Sequence, residues 1–497
     1  MRSGTCSARL SPDYDDPADD VPPLQPPSPT DLTALKSIVG LGGFLETAAD
    51  VEPFLVDFRK LYHGRSPLVL LPSSTEQVSN ILAYCDAHSI GVVPHGGNTS
   101  YCGGPVPDES GAQVIVGLRR LNKVRAVDPL NYSLTVEAGC VLAAVQAAAD
   151  SADRLFPLSL GSEGSCQIGG NLSTNAGGTA VLRYGMAREL VFGLEVVLAD
   201  GRVLDTLRTL RKDNTGYDLK ALFLGAEGTL GIITAACLKL FPKPAVYATA
   251  MIAVPDVASA VALLARLRTA SGDRVSTFEL IPRFGIELTT RHIAGVTDPF
   301  DKAYSWYVLA ELTSARGEDD LNATLEGTLA TAIEQGQALD AVVATSLTQR
   351  DALWRMRETI PEAQTHEGAS IKHDVSVPVA ALPEFVARAC AWVTTNVPDA
   401  RLLPYGHVGD GNLHFNLSQP VGGSSAAFLA QRIEIQRAIY DLALSMRGSF
   451  SAEHGIGRYK VTELEHYRSA VELDLMRTLK RALDPKGILN PGKVLRV

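Results

Sequence analysis

Hydrophobic residues are spaced in two different ways along this chain. In the first half they form short runs closed by glycine or proline: Leu68–Leu71 before Pro72, Gly91–Val93 before Pro94, then Gln113–Leu118, Ser133–Glu137, Leu194–Ala199 and Leu230–Leu240. Runs of this length between turn residues predict strands. Between the first two, Thr75 to Ala87 has helical spacing behind Ser73-Ser74-Thr75-Glu76, a capping sequence. Asp31 is the predicted N-cap of the first helix. After Phe241–Pro244 the texture changes to alanine and leucine at helical spacing, as in Val257–Leu267 and Leu321–Glu334, with strands such as Tyr304–Leu312 between. A domain boundary is therefore expected near 245. A long helix is predicted over Ala426–Met446, and turn signals close the chain at Asp484–Gly487 and Asn490–Gly492. Many strands with glycine-rich corners and fewer helices predict an α+β fold.

Composition narrows the function. The 497 residues are 46% hydrophobic and 20% charged, so most of the chain buries a core. Lysine plus arginine number 45 against 55 acids, a net charge of −10, which argues against nucleic-acid or anionic-membrane binding. No apolar run reaches the length of about 18 residues that a bilayer-spanning helix requires. Residues 1–30 combine Asp13, Asp15, Asp16, Asp19 and Asp20 with repeated prolines, which predicts a disordered tail and argues against a signal or transit peptide. The seven cysteines are scattered and never spaced C-x-x-C. A disulfide framework is not expected, and the expected location is the cytoplasm.

Three polar glycine clusters carry the first chemical signal. Pro94–Gly104, Gly161–Gly178 and Gly225–Ile233 each follow or flank a predicted strand. Glycines let backbone N–H groups approach a phosphate closely, so three such loops predict a wall around one large phosphorylated cofactor. Neither the Rossmann nor the P-loop glycine pattern occurs.

These segments carry a resemblance. VPHGGNTSYCGG at 93–104, GGNLSTNAGG at 169–178, RYGMARELVFGLEVVLADG at 183–201, RKDNTGYDLKALFLGAEGTLGIIT at 211–234 and LDPKGILNPGK at 483–493 resemble FAD-linked oxidases of the vanillyl-alcohol oxidase/p-cresol methylhydroxylase type. More narrowly, the chain is similar to the D-2-hydroxyglutarate/D-lactate dehydrogenase branch. The resemblance implies a two-subdomain FAD domain over 31–245, an α+β substrate (cap) domain over 246–455 and a C-terminal return to the FAD domain over 456–497. It implies that His95, Gly96, Gly97, Asn98, Thr99 and Ser100 wrap the pyrophosphate. Ser162, Gly164, Asn175, Gly177, Gly178, Glu227, Gly228 and Ile233 would line the rest of the flavin, with Asn490 approaching the ring. Covalent relatives place a histidine where Asn98 stands, so the FAD is expected to be noncovalent. His95 replaces the glutamine expected in this branch.

Residues 405–416 hold a histidine pair whose geometry can be read directly. Asp410-Gly411 predicts a two-residue hairpin turn. That turn sets His407 directly opposite His414 on one face, close enough to share a metal, with Asn416 projecting from the same face. A third ligand could come from Glu453 or His454. The resemblance implies that His407, His414 and Glu453 bind zinc or another divalent metal and that His454 is the general base. It also matches Arg357 and Lys372 to residues that bind substrate carboxylates, a role that suits a guanidinium fork and an ammonium. One departure is Pro361, where the D-2-hydroxyglutarate enzymes place a threonine. The expected activity is FAD- and metal-dependent oxidation of a D-2-hydroxy acid, D-2-hydroxyglutarate first and D-malate next, with electrons leaving to an electron-transfer flavoprotein, a quinone or a cytochrome. Three alternatives remain at this stage: a D-lactate/glycolate-type dehydrogenase, an alkyl-dihydroxyacetonephosphate synthase-like transferase, and a noncatalytic flavin carrier. The resemblance leaves a homodimer open.

Overall fold

The structure is a computed structural model and describes residues 23–496. The expected tail therefore lies mostly outside the described residues. Its last part departs from expectation: Gln25 N–H donates to Ser89 O, and Ser28 caps a helix over Pro29–Val39. Asp31 is not the N-cap but the third helical residue, returning a hydrogen bond to Ser28 in a capping box.

Two sheets build the first half. Phe44–Leu45, Val69–Leu70, Gln113–Gly117 and Gly91–His95 lie side by side, the last three parallel. The helix Thr75–Ala87, capped by Ser74, matches its predicted span. Gly91–His95 runs through Pro94, where the sequence pattern ended it. It is an edge strand, where a residue without an N–H is tolerated. The second sheet is antiparallel, in the order Val124–Asp128, Ser133–Glu137, Ile232–Lys239, Val191–Val197, Val203–Asp205. Both sheets share one core, in which Leu70, Val92, Val136 and Val196 are buried together.

Beyond residue 245 an antiparallel sheet runs Val275–Pro282, Trp306–Ser314, Val246–Val254, Asp340–Val343, backed by helices Val257–Ser271 and Leu321–Glu334. A smaller sheet centres on Asn412–Ser418, which pairs with Ser370–Ile371, Val375–Ser376 and Arg401–Tyr405. The helix expected over Ala426–Met446 is two, Ser425–Ala430 and Arg432–Ser445, broken at Gln431. The end of the chain comes back to the first half. Leu489 bridges Val92, and Ile488 and Leu489 are fully buried in the first core. Among the described residues no helix is long and apolar enough to cross a membrane.

Candidate active site

The three glycine clusters meet on one cavity of about 620 Å³ that is also lined by Arg357, Lys372, His407, His414, Glu453 and His454. Six buried polar atoms of cavity-lining residues have no hydrogen-bond partner among the described residues: His95 Nε2, Asn98 Oδ1, Gln167 Oε1, Asn171 Oδ1, His373 Nε2 and Asn490 Oδ1. Orphaned groups of this kind need a ligand or water to satisfy them. At Gly161 and Gly170 a Cβ would meet open space. These features fit a large polar cofactor such as FAD. Asn98 donates from Nδ2 to Val56 O at 2.8 Å and sits at φ 53°, in the left-handed region. Burial pushes the His95 imidazole down to about 4, so it is neutral beside the Phe54 ring.

Most of the residues expected to hold FAD line this cavity. Gly164 and Asn175 do not. The Asn175 amide is turned to its own loop, where Oδ1 accepts from Arg188 N–H at 2.9 Å. Glu227 lines the cavity, but its carboxylate is committed elsewhere. It accepts N–H groups of Ile456 at 2.6 Å and Gly457 at 2.8 Å, tying the C-terminal loop to the flavin loops. Gly178 does the same from the other side, donating its N–H to Glu453 Oε2 at 3.0 Å.

The hairpin register differs from the sequence expectation. Tyr405, not His407, opposes His414. Residues 406–411 leave the hairpin because Gly406 exchanges both backbone hydrogen bonds with Leu280, and Gly409 N–H donates to Phe278 O. Pairing with the neighbouring sheet thus replaces the two-residue turn. The histidines still meet: their ring centroids are 5.3 Å apart at 81°.

Glu453 Oε1 is the focus of the cluster. His414 Nε2 lies 3.6 Å from it, His407 Nε2 3.8 Å and His454 Nε2 3.9 Å. These separations are too long for hydrogen bonds. They are close to the edge of about 3.4 Å in a tetrahedron built on metal–ligand bonds of about 2.0–2.1 Å. The donor set fits a divalent cation. The opposite nitrogens face buried carboxylates: His407 Nδ1 is 2.6 Å from Glu279 Oε1, His454 Nδ1 3.5 Å from Asp374 Oδ2, and His414 Nδ1 3.9 Å from Asp374 Oδ1. Such partners orient ligand imidazoles. Asp374, His414, Glu453 and His454 also form a set of potential ligand atoms within 4.8 Å of one another. Glu279 and Asp374 were not singled out by sequence reasoning, which had no local signal for residues that reach the histidines only through the fold.

The charges explain how so many ionisable groups share one interior. Burial alone would raise Glu453, but the imidazoles of His407, His414 and His454 around it hold it well below the usual carboxylate range. Burial would lower His407, yet Glu279 raises it well above an ordinary imidazole. Arg357 is 6% exposed and directs Nε and Nη2 onto Glu279 Oε2 at 2.7 and 2.6 Å. Two of its nitrogens are therefore committed to holding the carboxylate behind His407. Among the described residues no acid pairs with Lys372, and burial, then the charge of Arg59, lower it to about 8. The Asn416 amide donates to Gln364 Oε1 at 3.0 Å and accepts from His373 N–H at 3.3 Å. Tyr101 stacks on His454 with centroids 4.7 Å apart.

The fold and this cavity define a flavin-binding oxidoreductase. Two family descriptions match the chain: "FAD binding domain" over residues 66–207 and "FAD linked oxidases, C-terminal domain" over residues 243–494. The chain belongs to the family of FAD-linked oxidases. It is 42% identical over 467 residues to the Oryza sativa subsp. indica protein named "Probable D-2-hydroxyglutarate dehydrogenase, mitochondrial", covering 94% of this chain and 81% of that protein. It is 41% identical over 470 residues to the Arabidopsis thaliana D-2-hydroxyglutarate dehydrogenase, mitochondrial, with the same coverage of each chain. The fold is shared with p-cresol methylhydroxylase (TM-score 0.70, 17% identity, 93% of this chain and 96% of that one). It is also shared with alkyldihydroxyacetonephosphate synthase (TM-score 0.71, 18% identity, 95% and 88%). The cytoplasmic location expected above is overturned, since the rice, Arabidopsis and Bos taurus relatives are all named as mitochondrial. The six described cysteines are free, which does not distinguish one compartment from another.

Proposed function

We propose that this protein oxidises a D-2-hydroxy acid, D-2-hydroxyglutarate first among them, to the 2-oxo acid. The observation that carries the reading is the convergence of three imidazole Nε2 atoms on Glu453 Oε1 in the wall of the cavity that the flavin loops line. The named activity of relatives about 40% identical over most of the chain supports it, as does their mitochondrial location for where this protein works. Bound FAD would supply the hydride acceptor, and a divalent cation held by His407, His414 and Glu453 a Lewis acid for the substrate hydroxyl. His454 takes the hydroxyl proton as hydride leaves C2. Lys372 and the uncommitted Nη1 of Arg357 hold substrate carboxylate, which fixes how C2 faces the flavin. Electrons then pass to an electron-transfer flavoprotein, quinone or cytochrome.

A second reading keeps the chemistry and shortens the substrate. Pro361 lines the cavity and offers no hydrogen-bond donor, which favours D-malate or D-lactate. Anaerobic mixing of the holoprotein with D-2-hydroxyglutarate, D-malate and D-lactate separates the readings through flavin absorbance. Bleaching fastest with D-2-hydroxyglutarate is the expected result. Bleaching by none of the three would remove the dehydrogenase reading.

A further inference from the structure

Asp374 is 2% exposed and lies at the centre of the histidine–acid cluster without being needed as a ligand in the arrangement above. The segment carrying Glu453 and His454 is wrapped around it. Three successive N–H groups donate to this one residue: Ala452 to its carbonyl at 3.1 Å, then Glu453 and His454 to Oδ2 at 3.0 and 2.8 Å. Asn412 Nδ2, from the strand that carries His414, donates to Oδ1 at 3.0 Å. Both oxygens are therefore engaged by N–H donors before any ion is considered. They also approach His414 and His454 on the Nδ1 edge, while the Nε2 edges point to Glu453. An ion among the Nε2 atoms would have each imidazole ring between it and Asp374.

We propose that Asp374 is a positioning residue rather than a metal ligand. It holds Glu453 and His454 by their backbone and keeps the Nδ1 edges of His454 and His414 toward itself, so that their Nε2 atoms face substrate and ion. The proposal rests on the dehydrogenase reading for its effect on turnover, but its structural content stands apart from it. A carboxylate facing one ring nitrogen favours the proton there and leaves the lone pair on the other. An amide in place of this carboxylate must turn a donor toward a donor at one of its positions.

Asp374→Asn and Glu453→Ala are compared with the wild type as FAD-loaded full-length protein. Metal per flavin is measured after exposure to a weak chelator, the visible spectrum after Co²⁺ loading, and kcat and KM with D-2-hydroxyglutarate. Asp374→Asn should keep its flavin and its metal under conditions that strip Glu453→Ala. Its Co²⁺ bands should shift, and its kcat should fall on the order of 100-fold while KM moves less than about fivefold. Loss of metal equal to that of Glu453→Ala would make Asp374 a ligand and overturn the proposal; so would an unchanged kcat. If no D-2-hydroxy acid bleaches the wild type, the dehydrogenase reading fails by itself. The Co²⁺ spectra then decide alone: shifted bands with metal retained uphold positioning, and identical bands overturn it. Should Asp374→Asn not fold, Asn412→Ala serves instead, since of the Asp374 carboxylate it frees Oδ1 alone, along with the Val375 carbonyl. It should keep metal and lose at least about threefold in kcat, and an unchanged kcat would again count against the proposal.

Discussion

Lys372 carries a charge into this cavity at a cost in stability that its proposed binding role would explain. Its ammonium is largely buried and has no acid beside it among the described residues, and burial and Arg59 bring its ionisation down to about 8. Its value is below the ordinary 10.5. The folded protein therefore binds fewer protons than the unfolded chain between those two values. The cost of holding the charge is present below about 8 and is relieved as pH rises toward 10.5. In its proposed role Lys372 needs the charged form to hold substrate carboxylate, so KM should climb as pH passes about 8, read from initial rates across that range. Lys372→Met should flatten that rise and increase KM at neutral pH by about tenfold or more, the loss of a charged hydrogen bond. The same change should raise the melting midpoint by about 2 °C, seen by flavin fluorescence on heating. At this scale the sequence nominated residues that the fold brings to one cavity. His407, His414, Glu453, His454 and Lys372 were all named from the sequence, and all line the cavity. Glu279 and Asp374 were not, since nothing next to them in the chain marks a carboxylate that serves a histidine more than a hundred positions away, as Glu279 serves His407 at 2.6 Å.

Two capped helices matched their expected spans, and the histidine hairpin, shaped by a neighbouring strand, did not. Thr75–Ala87 and Leu321–Glu334 carry side-chain caps at Ser74 and Asp320, so the local signal sufficed. The hairpin at 401–418 shows the opposite. Asp410-Gly411 has the composition of a tight turn, yet Gly406 and Gly409 hydrogen-bond to the strand Val275–Pro282 and draw the loop out. Tyr405 takes the place opposite His414, and the loop that leaves the strand there still brings the His407 ring to 5.3 Å from that of His414. The loop at 176–178 links the flavin and histidine parts of the cavity. Gly178 sits at φ 95°, where a Cβ would lie 2.0 Å from Ser159 O, and its N–H holds Glu453. Gly178→Ala should therefore destabilise the fold by about 2–4 kcal/mol and lower both flavin and metal per protein. Absorbance and metal analysis of the purified variant check this, and normal loading would show that the loop tolerates the shift.

For the whole molecule, the decisive feature is that distant stretches of chain share one interior. Ile488 and Leu489 are fully buried in the core of the first half, and Lys480 ties the returning helix to Thr229 O and Leu489 O at 2.8 Å each. Asn490 donates to Glu227 O at 2.8 Å at the edge of the cavity. Ending the chain after Leu483 should thus leave protein that is largely insoluble and carries no flavin. The flavin-to-protein ratio of the soluble fraction and its elution in size exclusion test this. A yellow, monodisperse truncated protein would mean that the C-terminal return is dispensable.

Glycine spacing, capped helices and the ordering of strands were enough to specify an α+β flavoprotein and to nominate its chemical groups, because those signals are local. Register at the histidine hairpin, the engagement of Arg357 with Glu279, and the turning of Asn175 away from the cavity were decided in three dimensions. Each depends on which buried donor or acceptor lies nearest once the sheets have packed, and proximity across hundreds of residues is a property of the folded chain alone.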